Sequence, residues 1–244
     1  MTERLSDKME KEYLTIQKNV DIIKNNIAKS LEKAGRSDNV VLLAATKMNS
    51  PERINAAIRS GVKVIGENRV QELLEKYDGI DKENVSIHFI GHLQTNKVKY
   101  IIDKVDLIQS LDSISLAGEI DKQAKKHNKV MDVLVEVNIC AEESKSGVLP
   151  ENLENFLKEI SSFPNIRVLG LMSIPPIMND VDTQREIFRK IMKIYVDISQ
   201  KKLDNINMQI LSMGMSDDYE IAVEEGSTMV RVGSSLFGKR NYNK

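Results

Sequence analysis

The fold class this sequence predicts is α/β: a (β/α)8 TIM barrel with an additional long N-terminal helix. Three observations carry that expectation. Eight short runs of strand length alternate with helix-period segments. The runs are apolar almost throughout, as parallel strands covered on both faces should be. The length, 244 residues, suits one such barrel. An open doubly wound sheet is the rival arrangement, and periodicity does not separate the two.

The opening segment reads as a helix. Leu5, Met9, Tyr13, Ile16, Val20, Ile23, Ile27 and Leu31 recur at steps of three and four, and Gly35 stands where a C-terminal stop belongs. This helix, residues 1–35, is expected to pack outside the barrel. No linker or low-complexity tract interrupts the chain, so residues 1–244 are expected to form one domain. The strand runs follow as VVLLAATK (40–47), VKVIGEN (62–68), SIHFIG (86–91), DLIQSLD (106–112), DVLVEVN (132–138), IRVLGLMSI (166–174), INMQILSMG (206–214) and STMVRVGSSLFG (227–238). Between them lie helical candidates at 51–60, 69–77, 95–103, 113–127, 151–162, 183–200 and 216–225. The 183–200 segment repeats the helical spacing at Ile187, Phe188, Ile191, Ile194, Tyr195 and Ile198.

Composition narrows the function classes. Apolar residues make up 41% and charged residues 29%, an ordinary globular balance. Lys plus Arg is 35 against 36 for Asp plus Glu, which argues against a nucleic-acid binder. The basic cluster KKHNK (125–129) ends a predicted helix, where cations meet the dipole favourably. Cys140 is the single cysteine, so neither an intrachain disulfide nor a cysteine metal cluster can form. His88 and His92 are four residues apart on a strand, about 13 Å, too far to share one ion, so no metal is expected. The charged N-terminus and the lack of a long apolar run point to a cytoplasmic protein without a membrane partner.

Candidate chemistry gathers at strand ends. Val41, Leu43, Ala45 and Lys47 share one face of the first strand, which places Lys47 at the carboxyl end, where barrel enzymes build their sites. An amine desolvated there becomes a nucleophile. The alternative is a lysine that snorkels to solvent. Gly214 frees the backbone after the seventh strand, and Ser216 is expected to cap the next helix. After the last strand, Gly233, Ser234 and Ser235 form a glycine-led turn, in the region where barrels commonly hold phosphate. Arg231 shares the inward face with Met229 and needs an acceptor. A plain tight turn and helix cap, with Arg231 paired to a carboxylate, would account for the same residues. Closure of a barrel makes the first and last strands neighbours. An amine, a phosphate cup and an inward cation at one mouth describe a pyridoxal 5′-phosphate (PLP) site.

At these residues the sequence resembles the YggS/PROSC family of pyridoxal phosphate homeostasis proteins, whose fold is similar to the N-terminal barrel of alanine racemase. The matching segments are LLAATK, VIGENRVQE, HFIGHLQTNK, SLDS, EVNICAEESKSG, GLMSIPP and LSMGMSDDYEIAVEEGSTMVRVGSSLFG, in order over nearly the whole chain. The resemblance implies that Lys47 carries the cofactor as a Schiff base. It further implies that Ser216, Gly233 and Ser234 hold its phosphate, that Arg231 faces the pyridine nitrogen, and that Asn68 lies beside it. Lys145 falls in a loop able to approach the site. Some members have a second lysine two positions beyond the first; Asn49 stands there, which removes that amine.

The resemblance also implies that the racemase C-terminal domain and its catalytic tyrosine are absent, so no catalytic residue is expected. The expected function is a reversible PLP carrier or reservoir in vitamin B6 homeostasis, acting on amino-acid and keto-acid pools. Apo PLP-dependent enzymes are the possible recipients, and the protein itself is expected to be a monomer or weak homodimer. The alternatives are a weak PLP-dependent amino-acid racemase and a cofactor-free Schiff-base aldolase.

Overall fold

The computed structural model describes residues 2–142, 145–201 and 203–238, with side chains described from residue 10 onward. Leu5 and Met9, the first two positions of the expected stripe, therefore lie outside the described side chains. The chain begins with helix α1 (Thr2–Lys33) and ends its described part with helix α8 (Ser234–Phe237). Between them run β1 (Val41–Ala45), α2 (Pro51–Arg59), β2 (Val64–Glu67), α3 (Val70–Lys76), β3 (Ser86–Phe89) and β4 (Leu107–Leu111). Next come α4 (Ile114–Lys126), β5 (Met131–Glu136), α5 (Leu153–Ile160), β6 (Ile166–Met172) and α6 (Val181–Ser199). The order closes with β7 (Ile206–Met215), α7 (Tyr219–Glu224) and β8 (Met229–Val232).

The eight strands form a closed, all-parallel barrel in chain order, which rules out the open sheet. Closure is explicit: Val41 pairs with Met229, Leu43 with Arg231 and Ala44 with Val232. Alternation then sorts the side chains. Leu42 and Ala44 face the helices, while Val41, Leu43 and Ala45 pack inside the barrel with Ile90, Met229, Val64 and Ile210. Leu107, Leu134 and Met172 form a further interior cluster.

Helix α1 buries Ile16, Val20, Ile23 and Ile27 against the outside of the barrel, each residue contributing about 1.5–3 kcal/mol of hydrophobic stabilisation. It packs against α2, α7 and α8. Polar contacts fix its register: Asn19 donates to the Leu236 carbonyl at 2.9 Å and Asn26 to the Tyr219 hydroxyl at 3.0 Å. Gly35 ends the helix region with φ 64°, where a side chain would be strained.

Three local expectations differ from the structure, the last being the strand run 227–238, which is a strand only over Met229–Val232 and turns at Gly233 into helix α8. Segment 95–103 forms a 3₁₀ turn over Thr95–Tyr100 instead of an α-helix. Val98, Ile101 and Ile102 are all buried, so the chain tightens to bring close-spaced apolar side chains inward. The second difference is at Ser216: α7 starts only at Tyr219, so Ser216 is not its cap. Instead Asp218 folds back, its Oδ1 accepting from the Met215 amide at 2.6 Å.

Candidate active site at the barrel mouth

The candidate site is built where β8 meets β1. Lys47 follows β1 by two residues and is partly buried. The turn after it is held from behind. Met48 adopts φ 61°, sparsely populated for a residue with a side chain, and its amide donates to Glu72 Oε2 at 2.8 Å. Lys76 bridges Glu72 Oε2 at 3.2 Å, Glu67 Oε1 at 3.1 Å and the Thr46 carbonyl at 3.2 Å. Thr46 donates to the same Glu67 oxygen at 2.5 Å. Glu67 is fully buried between β2 and α3, and that burial raises its pKa against the pull of Thr46 and Lys76. Asn49 donates to the Lys47 carbonyl at 3.2 Å and accepts from Arg53, so the position that lacks the second lysine serves to hold the turn.

On the other side of β1, the amides of Gly233 and Ser235 converge on Ser216 Oγ at 3.1 and 3.3 Å. Ser235 Oγ donates to the Ser216 carbonyl at 3.2 Å. Gly233 lies against Ala45: a Cβ there would come within 3.3 Å of the Ala45 carbonyl oxygen. This close approach sets the amide turn two residues from Lys47 along the neighbouring strand. Ser234 is exposed at the start of α8. Gly214, with φ 90°, turns the end of β7 close under Tyr219 and Ala222.

Arg231 points inward and is buried, as expected, yet its acceptors are not carboxylates. Nη1 donates to Ser212 Oγ at 2.7 Å and Nη2 to the Ser173 carbonyl at 2.8 Å. From Ser212 a file of hydrogen bonds crosses the barrel: Ser212 Oγ donates to Gln109 Oε1 at 2.7 Å, and Gln109 Nε2 meets His88 Nδ1 at 2.9 Å. Burial pushes His88 down to about 4, so the ring is neutral and Nδ1 accepts. Burial likewise lowers Arg231 to about 10, with Glu136 and Asp218 pulling it back, so it stays cationic at neutral pH.

Register extends the mouth toward β2. Ala45 pairs with Gly66, so Lys47 and Asn68 each follow a paired position by two residues on neighbouring chain segments. Asn68 Oδ1 is buried without a hydrogen-bond partner among the described residues. Across the mouth Glu136 ends β5, and burial together with the nearby Asp112 raises its carboxyl to about 7. Asp112 also lies 3.5 Å from His92 Nδ1, which meets Ser146 Oγ at 3.1 Å. Lys145 is exposed and paired with Glu142 at 3.1 Å.

The structure therefore gathers Lys47, Asn68, Arg231, Ser216, Gly233 and Ser234 around the β8–β1–β2 end of the barrel. Sequence reasoning missed Ser212, Gln109, Glu136 and the Glu67–Glu72–Lys76 clamp. A signal existed for the first three: each is a polar side chain inside an apolar strand run, where a partner or a function must compensate its burial.

Residues 19–241 match the family model of the alanine racemase N-terminal domain. The chain is 49% identical to the pyridoxal phosphate homeostasis protein of Aquifex aeolicus over 88% of its own length and 94% of that protein. It superposes with PipY of Synechococcus elongatus, solved with PLP bound, at TM-score 0.77 and 30% identity, covering 87% of this chain and 100% of PipY. Alanine racemase of Clostridium difficile shares the fold at TM-score 0.69 with 16% identity, over 93% of this chain but 61% of the racemase chain. The family-model match and the identity over most of both chains show that this chain belongs to the pyridoxal phosphate homeostasis protein family, built on the alanine racemase N-terminal barrel.

Proposed function

We propose that this chain binds pyridoxal 5′-phosphate at the β8–β1–β2 end of the barrel and serves as a reversible cofactor carrier in vitamin B6 homeostasis, without substantial catalysis. The observation that carries the reading is the convergence of the Gly233 and Ser235 amides on a single oxygen, Ser216 Oγ, on the strand that pairs with the Lys47 strand. The Ser216 oxygen, accepting from both amides, stands where an anionic phosphate oxygen would accept from them, and its own hydroxyl proton is a further donor such an anion suits. Asn68 Oδ1, buried and unpartnered beside the Lys47 position, fits a mouth made to receive a further polar group.

In this reading Lys47 supplies the amine that attaches to the cofactor. Ser216, Gly233, Ser234 and Ser235 hold its phosphate, Arg231 faces its ring nitrogen, and Asn68 flanks it. When bound, the cofactor supplies an aldehyde for attachment and a ring that can delocalise electrons. Arg231 works against the second capacity. A cation locked by Ser212 and Ser173 disfavours a proton on the ring nitrogen, which limits electron withdrawal. The Glu67–Glu72–Lys76 clamp keeps the Lys47 turn in place, and α1 holds α8, which carries the amide turn, through Asn19. One domain spanning residues 1–244, a cytoplasmic location, a monomer or weak homodimer, and apo PLP-dependent enzymes as recipients belong to the same proposal. No helix among the described residues is long and apolar enough to cross a membrane, in keeping with that location.

The test is spectroscopic. Purified protein reconstituted with PLP is expected to show a visible absorbance band that borohydride removes and that Lys47→Ala lacks. A chain that never becomes coloured would refute the cofactor reading and favour the aldolase. Sustained deuterium exchange at the α-carbon of amino acids in D₂O would refute the carrier and support the weak racemase.

A further inference from the structure

A cavity of about 530 Å³ opens beside the candidate cofactor site, on the flank away from the amide turn. Its polar side is Asn68, Arg69, His92, Gln94 and Lys97, and its apolar wall includes Leu74 and Tyr100. None of its lining residues is acidic. Arg69 reaches its nearest carboxylate, Glu72 Oε1, only at 3.9 Å, and the other oxygen of Glu72 is already taken by the Met48 amide and Lys76. Lys97 and Lys99 stand 5.6 and 5.0 Å from the centre of the Tyr100 ring. Two nearby carboxylates stand outside the lining, Glu72 at 3.9 Å from Arg69 and Asp112 at 3.5 Å from His92, and the cations that line the aromatic wall favour an anion that carries an apolar body.

We propose that this cavity is a second ligand site, taking a small monocarboxylate with an apolar or aromatic body. The carboxylate meets Arg69 and Lys97, which as fork and point charge suit it. The apolar body lies along Leu74 and Tyr100, whose large side chains are otherwise exposed at 37% and 43%. Hydrophobic amino acids and 2-oxo acids share this chemistry. The cavity meets the Lys47 mouth at Asn68, so its occupant sits next to the cofactor without replacing it. The proposal goes beyond the carrier reading, because binding here requires neither Lys47 nor the cofactor.

The probe is 3-phenylpropionate, which has the carboxylate and the ring but neither amine nor carbonyl to react at Lys47. Its titration into the full chain is followed by amide NMR. Saturable shifts are expected at Asn68, Gln94 and Tyr100, and binding is expected to weaken roughly tenfold in Arg69→Ala/Lys97→Ala, two exposed charges being lost. The neutral 3-phenylpropanol should bind weakly, Tyr100→Ala should weaken the acid, and Lys47→Ala should bind it as the wild type does. Absence of saturable shifts, undiminished affinity in the double variant, or equal binding of the alcohol would each overturn the proposal. Shifts confined to the Gly233–Ser235 turn would overturn it too. Loss of cofactor binding in Lys47→Ala tests only the carrier reading, so the two fail separately.

Discussion

The two sides of the barrel mouth are made of different materials. The β7–β8–β1 side is backbone: amides of Gly233 and Ser235 aimed at Ser216, with a buried arginine two residues before the turn. The β4–β5 side is side-chain carboxylate, Glu136 and Asp112, with exposed His92 close by. Backbone amides do not titrate, so the first side presents the same donors at every physiological pH. The second changes its charge near neutrality, because burial and Asp112 lift Glu136 to about 7. An anion can therefore be held constantly on one side while the field across the mouth varies with pH.

The largest expected effect breaks the amide side at its reactive end: Lys47→Ala should abolish covalent cofactor attachment while leaving the fold intact, measured by absorbance and circular dichroism. Arg231→Ala comes next. It deprives Ser212 and the Ser173 carbonyl of their donor and opens a void, so it should cost about 2–4 kcal/mol in urea unfolding. A loss under 0.5 kcal/mol would mean the hydrogen-bond file contributes little. Ser216→Ala should be milder, about 1 kcal/mol, with phosphate affinity down several-fold by titration calorimetry.

The acidic side is sharpened through pH. Glu136 has a folded pKa raised from 4.5 to about 7, so its contribution is fully present below pH 4.5 and is lost as pH rises through 7. His88 is lowered from 6.5 to about 4, so the fold loses stability as pH falls from 6.5 through 4. Between pH 4.5 and 6.5 the two slopes oppose each other. Glu136→Gln should therefore lose stability more steeply than wild type on acidification across that window. It should also lack the decline on approaching pH 7. Identical profiles for the two proteins would show that Glu136 is not the titrating group.

The amide side was the more legible in sequence for a physical reason. Glycine and serine after a strand, and a lysine ending an apolar run, advertise backbone geometry and an unusual burial within a few adjacent residues. Alternation alone places Arg231 inward, but its acceptors come from β7 and the end of β6, and no local pattern names them. The local pattern makes Ser216 a helix cap, whereas its partners lie seventeen and nineteen positions on. The Glu67–Glu72–Lys76 clamp was hidden because Lys76 reads as an ordinary helix lysine until α3 docks on β2. Local chemistry was readable; contacts made by closing the barrel were not.

The claim under everything else is that one lysine, among the many in this chain, meets the cofactor because barrel closure sets it beside an anion-holding turn. Borohydride reduction of the PLP-loaded protein followed by peptide mapping by mass spectrometry tests it most directly. The account predicts a single stoichiometric adduct on Lys47. An adduct on Lys145 or another lysine with Lys47 unmodified would contradict it.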